Sequence, residues 1–198
     1  PGFNYKHIIT KGKNIQSGLA IYSKYPIVNR GNLNFENSNN NAIYVDINLK
    51  GTIVRVYTMH LESIRIGNDI NTTPNEIDET KSRKIFNKLK TAFTDQQSQA
   101  ETIYEHRKDL KIPVIVAGDM NNSAFSYVYR TIRGELNDSF VEAGRGFGKS
   151  YDFDLYPARI DYIFTDKRFQ VNQFSTFQNF RKSDHFPIIT HFTISKEE

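Results

Sequence analysis

The sequence predicts an α/β fold, a layered sandwich in which helices cover sheets of short strands. Aromatic and β-branched residues occur in short runs separated by polar or glycine-containing turns, as in sheet-rich proteins. The stretch from 74 to about 108 has the apolar spacing of amphipathic helices. Residues 113–117 form a short continuous apolar run, which is typical of a central strand buried on both faces.

In the first third of the chain, the run 18–23 predicts a strand, which ends ahead of Pro26 because proline favours an extended or turn geometry before it. The runs 42–49 and 52–59 flank Lys50-Gly51, a two-residue turn signal, and predict an antiparallel hairpin. The second of these strands ends at His60. Side chains near His60 are therefore expected at a strand's carboxyl end, where sheet proteins often place their chemistry.

In the rest of the chain, residues 74–108 predict one or two amphipathic helices over a sheet face. After the central strand, Asn122 or Ser123 is predicted to cap a helix over 124–133. A loop rich in glycine and aromatic residues spans 144–157. Three strand-like runs follow this loop, at 159–165, 169–177 and 186–194.

Size and composition set broad limits. The 198 residues fit a single domain spanning 1–198, which is large enough to bury a core without disulfides. With 26 basic and 22 acidic residues the net charge is +4, a mild excess that is compatible with an anionic substrate. The chain has no cysteine, which excludes disulfides and thiolate metal sites, and no apolar run near the ~20 residues of a spanning helix.

Four polar features stand out, and each has an ordinary structural explanation when taken alone. A strand-end histidine is more often a satisfied polar residue than a catalyst, Gly-Asp-x-Asn can be an Asx-turn, and Ser-Asp-His can be a cap or turn. An acid inside an apolar strand is costly to bury unless a cationic or hydrogen-bonding partner meets it. The features are His60 with Glu62 and Ser63, Asp119 with Asn121, Asp161, and Ser183-Asp184-His185.

Five stretches follow one another along the chain: 18–27, Met59-His-Leu-Glu-Ser63, Val116-Ala-Gly-Asp-Met-Asn121, Arg159-Ile-Asp-Tyr-Ile-Phe164 and Ser183-Asp-His-Phe-Pro-Ile188. Their sequences and order resemble those of the endonuclease/exonuclease/phosphatase superfamily, and we expect a bacterial member of it. The resemblance implies a four-layer α/β sandwich, with two mostly antiparallel sheets packed face to face and helices outside. It also implies metal-dependent hydrolysis of a phosphodiester or phosphomonoester bond in a phosphorylated substrate, a nucleic acid among the candidates.

The resemblance also implies roles for the catalytic candidates. His185 would lie nearest the scissile phosphate, and Asp161 would hold its ring through a hydrogen bond. Asp119 would orient or deprotonate the attacking water. Asn121 would donate a hydrogen bond to a phosphate oxygen, while His60 stabilises the phosphoryl group from the opposite side.

The metal site is only partly represented in the sequence. Asp184 is expected on, or one water away from, a bound Mg²⁺ or Mn²⁺, hard cations that prefer oxygen ligands. The superfamily also uses an Asn and the Glu of a Gln-Glu pair before the strand at 18–23, and neither motif is present. Because the chain begins shortly before Gly18, we expect that these ligands lie upstream, that the first sheet is incomplete at its N-terminus, and that this piece binds metal weakly and turns over slowly.

Substrate choice is expected to depend on the loops 62–75 and 144–158. A nuclease-like phosphodiesterase is the first hypothesis, and a lipid or inositol-phosphate phosphoesterase is the second. A binding module that keeps the fold without catalysis is the third, and it would be favoured if the full-length gene lacked the upstream Asn and Glu. Localisation is left open, because some bacterial relatives carry hydrophobic N-terminal segments. Oligomeric state is also left open.

Overall fold

A computed structural model describes residues 2–12, 17–36, 38–64, 79–153 and 156–194. The expected helix start at 74–78, the loop residues 65–75 and residues 154–155 lie outside the described residues. The described elements are β1 (Tyr5–Lys11), β2 (Ser17–Ser23), β3 (Ile27–Asn32), β4 (Asn41–Leu49), β5 (Thr52–His60), α1 (Glu79–Arg107), β6 (Val114–Asp119), α2 (Tyr127–Arg133), β7 (Asn137–Asp138), α3 (Ser139–Ala143), β8 (Asp161–Thr165), β9 (Phe169–Thr176) and β10 (Ile188–Ile194).

A mixed six-stranded sheet organises the fold, with strand order β3-β4-β5-β6-β8-β7. Strands β5 and β6 are parallel, and their other neighbours are antiparallel. The predicted hairpin is confirmed: Leu49 pairs with Thr52 across a turn in which Lys50 and Gly51 have φ of 55° and 103°. Positive φ at both turn residues gives the twist that joins two antiparallel strands tightly.

The second layer consists of two antiparallel hairpins, β1–β2 and β9–β10, which form separate two-stranded sheets among the described residues. Ile21 of β2 packs on Ile43 and Val45 of β4. Phe169 of β9 packs on Val54 and Ile115. The layered α/β class is therefore confirmed, with a large sheet, smaller sheets and helices packed around them.

Strands β1 and β3 were not predicted. β1 was missed although Tyr5, Ile8, Ile9 and Thr10 are residues typical of strands. β3 has no strong strand pattern of its own. β3 has the sequence Ile-Val-Asn-Arg-Gly-Asn, which reads as polar and turn-rich. It exists because its backbone pairs with β4, where Gly31 lies opposite Tyr44. Pairing with a neighbouring strand here overrides the low strand propensity of the segment.

The opposite face of the six-stranded sheet is covered by helices. α1 is one continuous helix of 29 residues rather than two, and it buries Ala100 and Ile103 against Tyr57 and Val116. No helix in the described part of the chain is both long and apolar enough to cross a membrane.

The predicted cap of α2 is wrong, because the helix begins later and Ser126 caps it. The Ser126 hydroxyl accepts a hydrogen bond from the Tyr129 N–H at 3.0 Å. Asn122 and Ser123 are used elsewhere: the Asn122 amide donates to Gln96 Oε1 at 2.7 Å, and its Oδ1 accepts from the Ser123 N–H. These contacts fix the conformation of the turn before the helix, so the helix begins only at Tyr127.

A buried ion pair anchors the segment that leads into β8. The Asp138 carboxylate is almost fully buried and accepts hydrogen bonds from Arg159 at 2.7 Å and from the Tyr129 hydroxyl at 2.8 Å. Asp138 also caps α3, a short helix that the sequence did not predict, by accepting from the Phe140 N–H. Because Arg159 lies two residues before Asp161, this network fixes where the catalytic candidate on β8 enters the sheet.

Candidate active site

Polar residues from four neighbouring strands lie in one row across the six-stranded sheet. In register, Asn41 of β4 pairs with His60 of β5, His60 with Asp119 of β6, and Asp119 with Asp161 of β8. Adjacent strands are about 4.8 Å apart, so the row places these residues side by side at one end of the strands. Their chain neighbours Ala42, Met59, Met120 and Tyr162 belong to the core under α1, so the row points to the opposite face.

His185 joins this row from the segment before β10. Its Nδ1 lies 2.9 Å from Asp161 Oδ2, so the partly buried carboxylate has a hydrogen-bonding partner. The backbone of His185 also bridges to Tyr151, and the two rings pack with centroids 4.9 Å apart. With Nδ1 engaged and one ring face covered, the Nε2 atom of His185 is directed toward Asp119.

Asp119 is the centre of the cluster. Its Oδ2 lies 3.6 Å from His60 Nε2 and 3.9 Å from His185 Nε2, while its Oδ1 accepts a hydrogen bond from the Asn121 N–H at 2.7 Å. Burial, followed by repulsion from Asp161, raises the pKa of Asp119 to about 7. The hydrogen bond to Asp161 raises the pKa of His185, so the charged form of this imidazole is favoured. It lies beside Asp119, which is a weaker acid than an ordinary carboxyl group.

Asn121 serves the turn after β6 as well as the site. It has a φ of 48°, a left-handed conformation that Asn tolerates, and its N–H bond to Asp119 is the Asx-turn considered from the sequence. One hydrogen of its side-chain amide is donated to the Leu61 carbonyl at 2.9 Å. Gly118 allows this turn to approach β5, since a Cβ there would lie 2.1 Å from the Met59 carbonyl oxygen.

Two glutamines of α1 tie together the strand ends that carry the site. The Gln96 amide donates to the Glu62 carbonyl at 2.6 Å and lies 3.3 Å from the Asn121 carbonyl, and Gln99 Oε1 accepts from the Glu62 N–H. Both side chains are buried. Sequence reasoning missed them, although the signal was present: they are polar residues at core-facing positions, spaced with Ala92, Ala100 and Ile103.

We expect Gln96→Leu to lower both stability and activity, because it leaves the Glu62 carbonyl without this buried donor. The free energy of unfolding should fall by about 1–3 kcal/mol. In an assay of phosphodiester hydrolysis kcat should fall more than KM rises, since the strand ends that carry His60 and Asn121 lose their spacing. Exposed Gln97→Leu on the same helix is the matched control, and equal effects of the two substitutions would contradict this role.

The remaining polar candidates lie beside the cluster. The Glu62 carboxylate accepts from the Ser38 hydroxyl at 2.8 Å and lies 3.4 Å from the Asn40 amide. Asp184 is exposed, and its charge is near enough to contribute to the raised pKa of Asp119. Its assignment as a metal ligand stays a prediction.

The donor set at the centre of the site fits a hard divalent cation. One ligand atom each from Asp119, Asp161 and His185 can be chosen so that all lie within 4.8 Å of one another, a spacing compatible with a shared metal ion. Carboxylate oxygens are the ligands that Mg²⁺ and Mn²⁺ prefer. A cation here would also offset the carboxylate repulsion that contributes to the raised pKa of Asp119.

Solved structures with the same fold cover nearly the whole chain. An endonuclease/exonuclease/phosphatase family protein from Bacteroides thetaiotaomicron matches with a TM-score of 0.66 and 17% identity, over 96% of this chain and 76% of that chain. A mannosyl-6-phosphatase from the same organism matches with a TM-score of 0.62 and 16% identity, over 96% of this chain and 77% of that chain. Humanised D. rerio TDP2 matches with a TM-score of 0.68 and 16% identity, over 95% of this chain and 76% of that chain.

No curated protein matches the sequence significantly. At these identities the structural matches establish the fold alone, and family membership comes from the sequence. The model of the Endonuclease/Exonuclease/phosphatase family matches residues 1–185, which is most of the chain. By its sequence and its fold, this chain belongs to the endonuclease/exonuclease/phosphatase family.

Proposed function

We propose that this domain hydrolyses a phosphodiester bond in a nuclease-like reaction, using water activated at Asp119. The observation that carries the proposal is the position of Asp119 Oδ2, which lies 3.6 Å from His60 Nε2 and 3.9 Å from His185 Nε2. A carboxylate between two imidazoles can accept a proton while the rings face the charge that develops on a phosphoryl group. Membership of a family of hydrolytic phosphoesterases supports the same reaction class.

In the proposed mechanism, Asp119 orients the attacking water and accepts its proton at Oδ2, because Oδ1 is already held by the Asn121 N–H. Its raised pKa makes it a stronger base than an ordinary carboxylate. His185, kept in one orientation by Asp161, donates from Nε2 to a phosphoryl oxygen. His60 faces the same group from the other side, and the second hydrogen of the Asn121 amide supplies a further donor.

We propose Mg²⁺ or Mn²⁺ as the cofactor, with Asp184 on the ion or one water away from it, so that Asp119 stays free to act on the attacking water. A bound divalent ion neutralises phosphate charge and stabilises the leaving oxygen. The sequence contains no Gln-Glu pair to provide the family's principal carboxylate ligand. We therefore expect weak metal affinity and slow turnover for residues 1–198.

A second candidate, a lipid or inositol-phosphate phosphoesterase, is favoured by a polar cavity of about 690 Å³ between the glycine-rich loop and β9. Arg145 and Lys149 line it together with amide and hydroxyl groups of β9 such as Gln173 and Ser175. Cations next to neutral hydrogen-bonding groups suit a phosphorylated polyhydroxy compound. Lys149 also lies 5.5 Å from the ring of Phe186, the residue after His185, so the cavity is close to the site.

The test is a panel of phosphodiester and phosphomonoester substrates, assayed with added Mg²⁺ or Mn²⁺ and with a chelator. We expect slow, metal-dependent hydrolysis, with diesters preferred, and loss of on the order of 1000-fold in kcat for His185→Ala. His191→Ala is the matched control, because His191 is an exposed histidine on β10. Hydrolysis that survives His185→Ala, or that is lost equally in both variants, would contradict the proposal.

A preference for inositol phosphates or phospholipids over diesters of nucleosides would instead favour the second candidate. Arg145→Ala should then raise KM for those substrates and leave hydrolysis of a small synthetic diester unchanged. Absence of turnover with every substrate and metal would favour the binding-module hypothesis if the full-length gene also lacked the upstream Asn and Glu.

A further inference from the structure

Positive charge is concentrated in the first half of α1. Residues 81–90, Lys-Ser-Arg-Lys-Ile-Phe-Asn-Lys-Leu-Lys, contain five basic residues and no acidic one. This segment alone carries more positive charge than the net +4 of the whole chain. A potential concentrated in this way acts locally on an anionic partner, which a mild overall excess does not. We call residues 81–93 the basic segment of α1.

The basic segment is amphipathic. Ile85, Phe86, Leu89 and Phe93 recur at intervals of three or four residues, so they share one side of the helix. Phe86 is 64% exposed and Phe93 is 46% exposed, although both belong to this apolar strip. On the remaining arc of the helix, the side chains are exposed and cationic at Arg83, Lys84 and Lys90.

The basic segment projects beyond the strand ends that carry the candidate active site. Gln96 and Gln99 are the residues of α1 that bond to Glu62, two residues after His60. At 1.5 Å per residue, the helix from 83 to 96 reaches roughly 20 Å past that point. A groove of about 560 Å³ lies next to the basic segment. It is lined by residues 62–64 and by α1 residues between 87 and 95.

We propose that the basic segment docks this domain on an anionic lipid membrane. Phe86 and Phe93 would enter the boundary between headgroups and acyl chains, while Arg83, Lys84 and Lys90 contact acidic headgroups. Helices with a cationic face and a Phe/Leu face bind membrane interfaces in this manner, lying in the plane of the surface without crossing it. Docking would bring the strand ends that bear His60 to the membrane, whichever phosphate ester is cleaved.

The apolar strip favours a membrane over a nucleic acid as the partner. A groove for single-stranded nucleic acid uses separate aromatic rings interleaved with cations along the path of the strand. Here the two exposed rings lie beside the aliphatic side chains of Ile85 and Leu89 and form a continuous strip. A continuous apolar strip with flanking cations matches the two chemical zones of an anionic bilayer surface.

The test is co-sedimentation with vesicles of phosphatidylcholine, with and without phosphatidylglycerol. We expect binding to the anionic vesicles only, weakened about a hundredfold by the triple variant Arg83→Glu/Lys84→Glu/Lys90→Glu. The triple variant Lys6→Glu/Lys24→Glu/Lys111→Glu changes the net charge equally at exposed positions elsewhere and should bind like the wild type. Single Lys84→Gln and Lys90→Gln substitutions, which are mild at exposed positions, should each weaken binding about fivefold.

Phe86→Ser/Phe93→Ser separates the apolar contribution from the charge, and it should weaken vesicle binding at least tenfold while thermal unfolding stays cooperative. Equal binding to neutral and anionic vesicles, or unchanged binding of the basic triple variant, would overturn the proposal. The proposal would also be overturned if the protein did not bind vesicles but bound DNA through the same cations, whether or not the two Phe residues were substituted. That outcome would assign the basic segment to a nucleic acid.

Discussion

Asp119→Asn should slow hydrolysis severely and make the metal-free protein more stable above pH 7. Asn keeps the shape of the side chain and can still accept the Asn121 N–H bond through its carbonyl oxygen, but it cannot accept the proton of water. We expect kcat to fall by on the order of 100- to 10,000-fold. The same substitution removes a charge that the fold holds at a cost, because burial and Asp161 disfavour the ionised form of Asp119.

The sign of the stability effect follows from the two states of Asp119. The pKa of this acid is raised from 3.8 to about 7 in the fold. Between those values the unfolded chain has released the proton and the folded chain still holds it, so the wild type loses stability progressively as the pH rises from 3.8 to about 7. The full loss is on the order of 4 kcal/mol.

Asn is neutral at every pH and avoids this loss. We therefore expect Asp119→Asn to exceed the wild type in free energy of unfolding at pH 8, and to resemble it near pH 4. Urea unfolding at both pH values, in the presence of a chelator, measures the difference. A variant that is less stable than the wild type at pH 8 would show that the neighbours of Asp119 stabilise its ionised form instead of destabilising it.

Asp161→Asn should lower kcat by on the order of 100-fold, because the carboxylate that fixes His185 is lost while its shape remains. The Asp161 hydrogen bond is the main cause of the raised pKa of His185. In the variant this pKa should fall toward its ordinary value, so His185 loses its charge at a lower pH. The alkaline limb of the pH–rate profile should therefore move to lower pH. Asp109→Asn, at an exposed position, is the control and should leave that limb in place.

A purely structural role for Asp161 would lower activity at all pH values without moving that limb. Titration of the His185 ring by NMR provides an independent readout in the absence of substrate. An unchanged His185 pKa in the variant would contradict the positioning role.

Sequence reasoning located the parts of the fold that have strong local signals. The hairpin across Lys50-Gly51 and the central strand leading to Asp119 were predicted because turn chemistry and continuous apolar runs are local properties. Strand β3 was missed because backbone pairing with β4 forms it, and that pairing is visible only in three dimensions. The cap at Ser126 was missed because the side chain of Asn122 is bonded to a residue of α1 far away in sequence.

For the site, the five catalytic candidates were named from motifs, and the structure brings His60, Asp119, Asp161 and His185 together, with Asn121 beside them. The register of three strands produces this convergence, and no pattern within one strand encodes it. The contact of Tyr151 with His185 was missed for the same reason. Gln96 was missed although a local signal was present, a polar residue at a core-facing position of α1. The basic segment of α1 was overlooked because net charge was considered over the whole chain, where nearby acids dilute it.

The account depends most on Asp161 and His185 acting as one unit beside Asp119, and a double-mutant cycle on kcat/KM tests this directly. The single variants Asp161→Asn and His185→Ala are compared with the double variant on one diester substrate. We expect the double variant to be no slower than His185→Ala alone, because Asp161 then has no ring to hold. If the two losses instead multiply, the residues act independently and the proposed site is wrong.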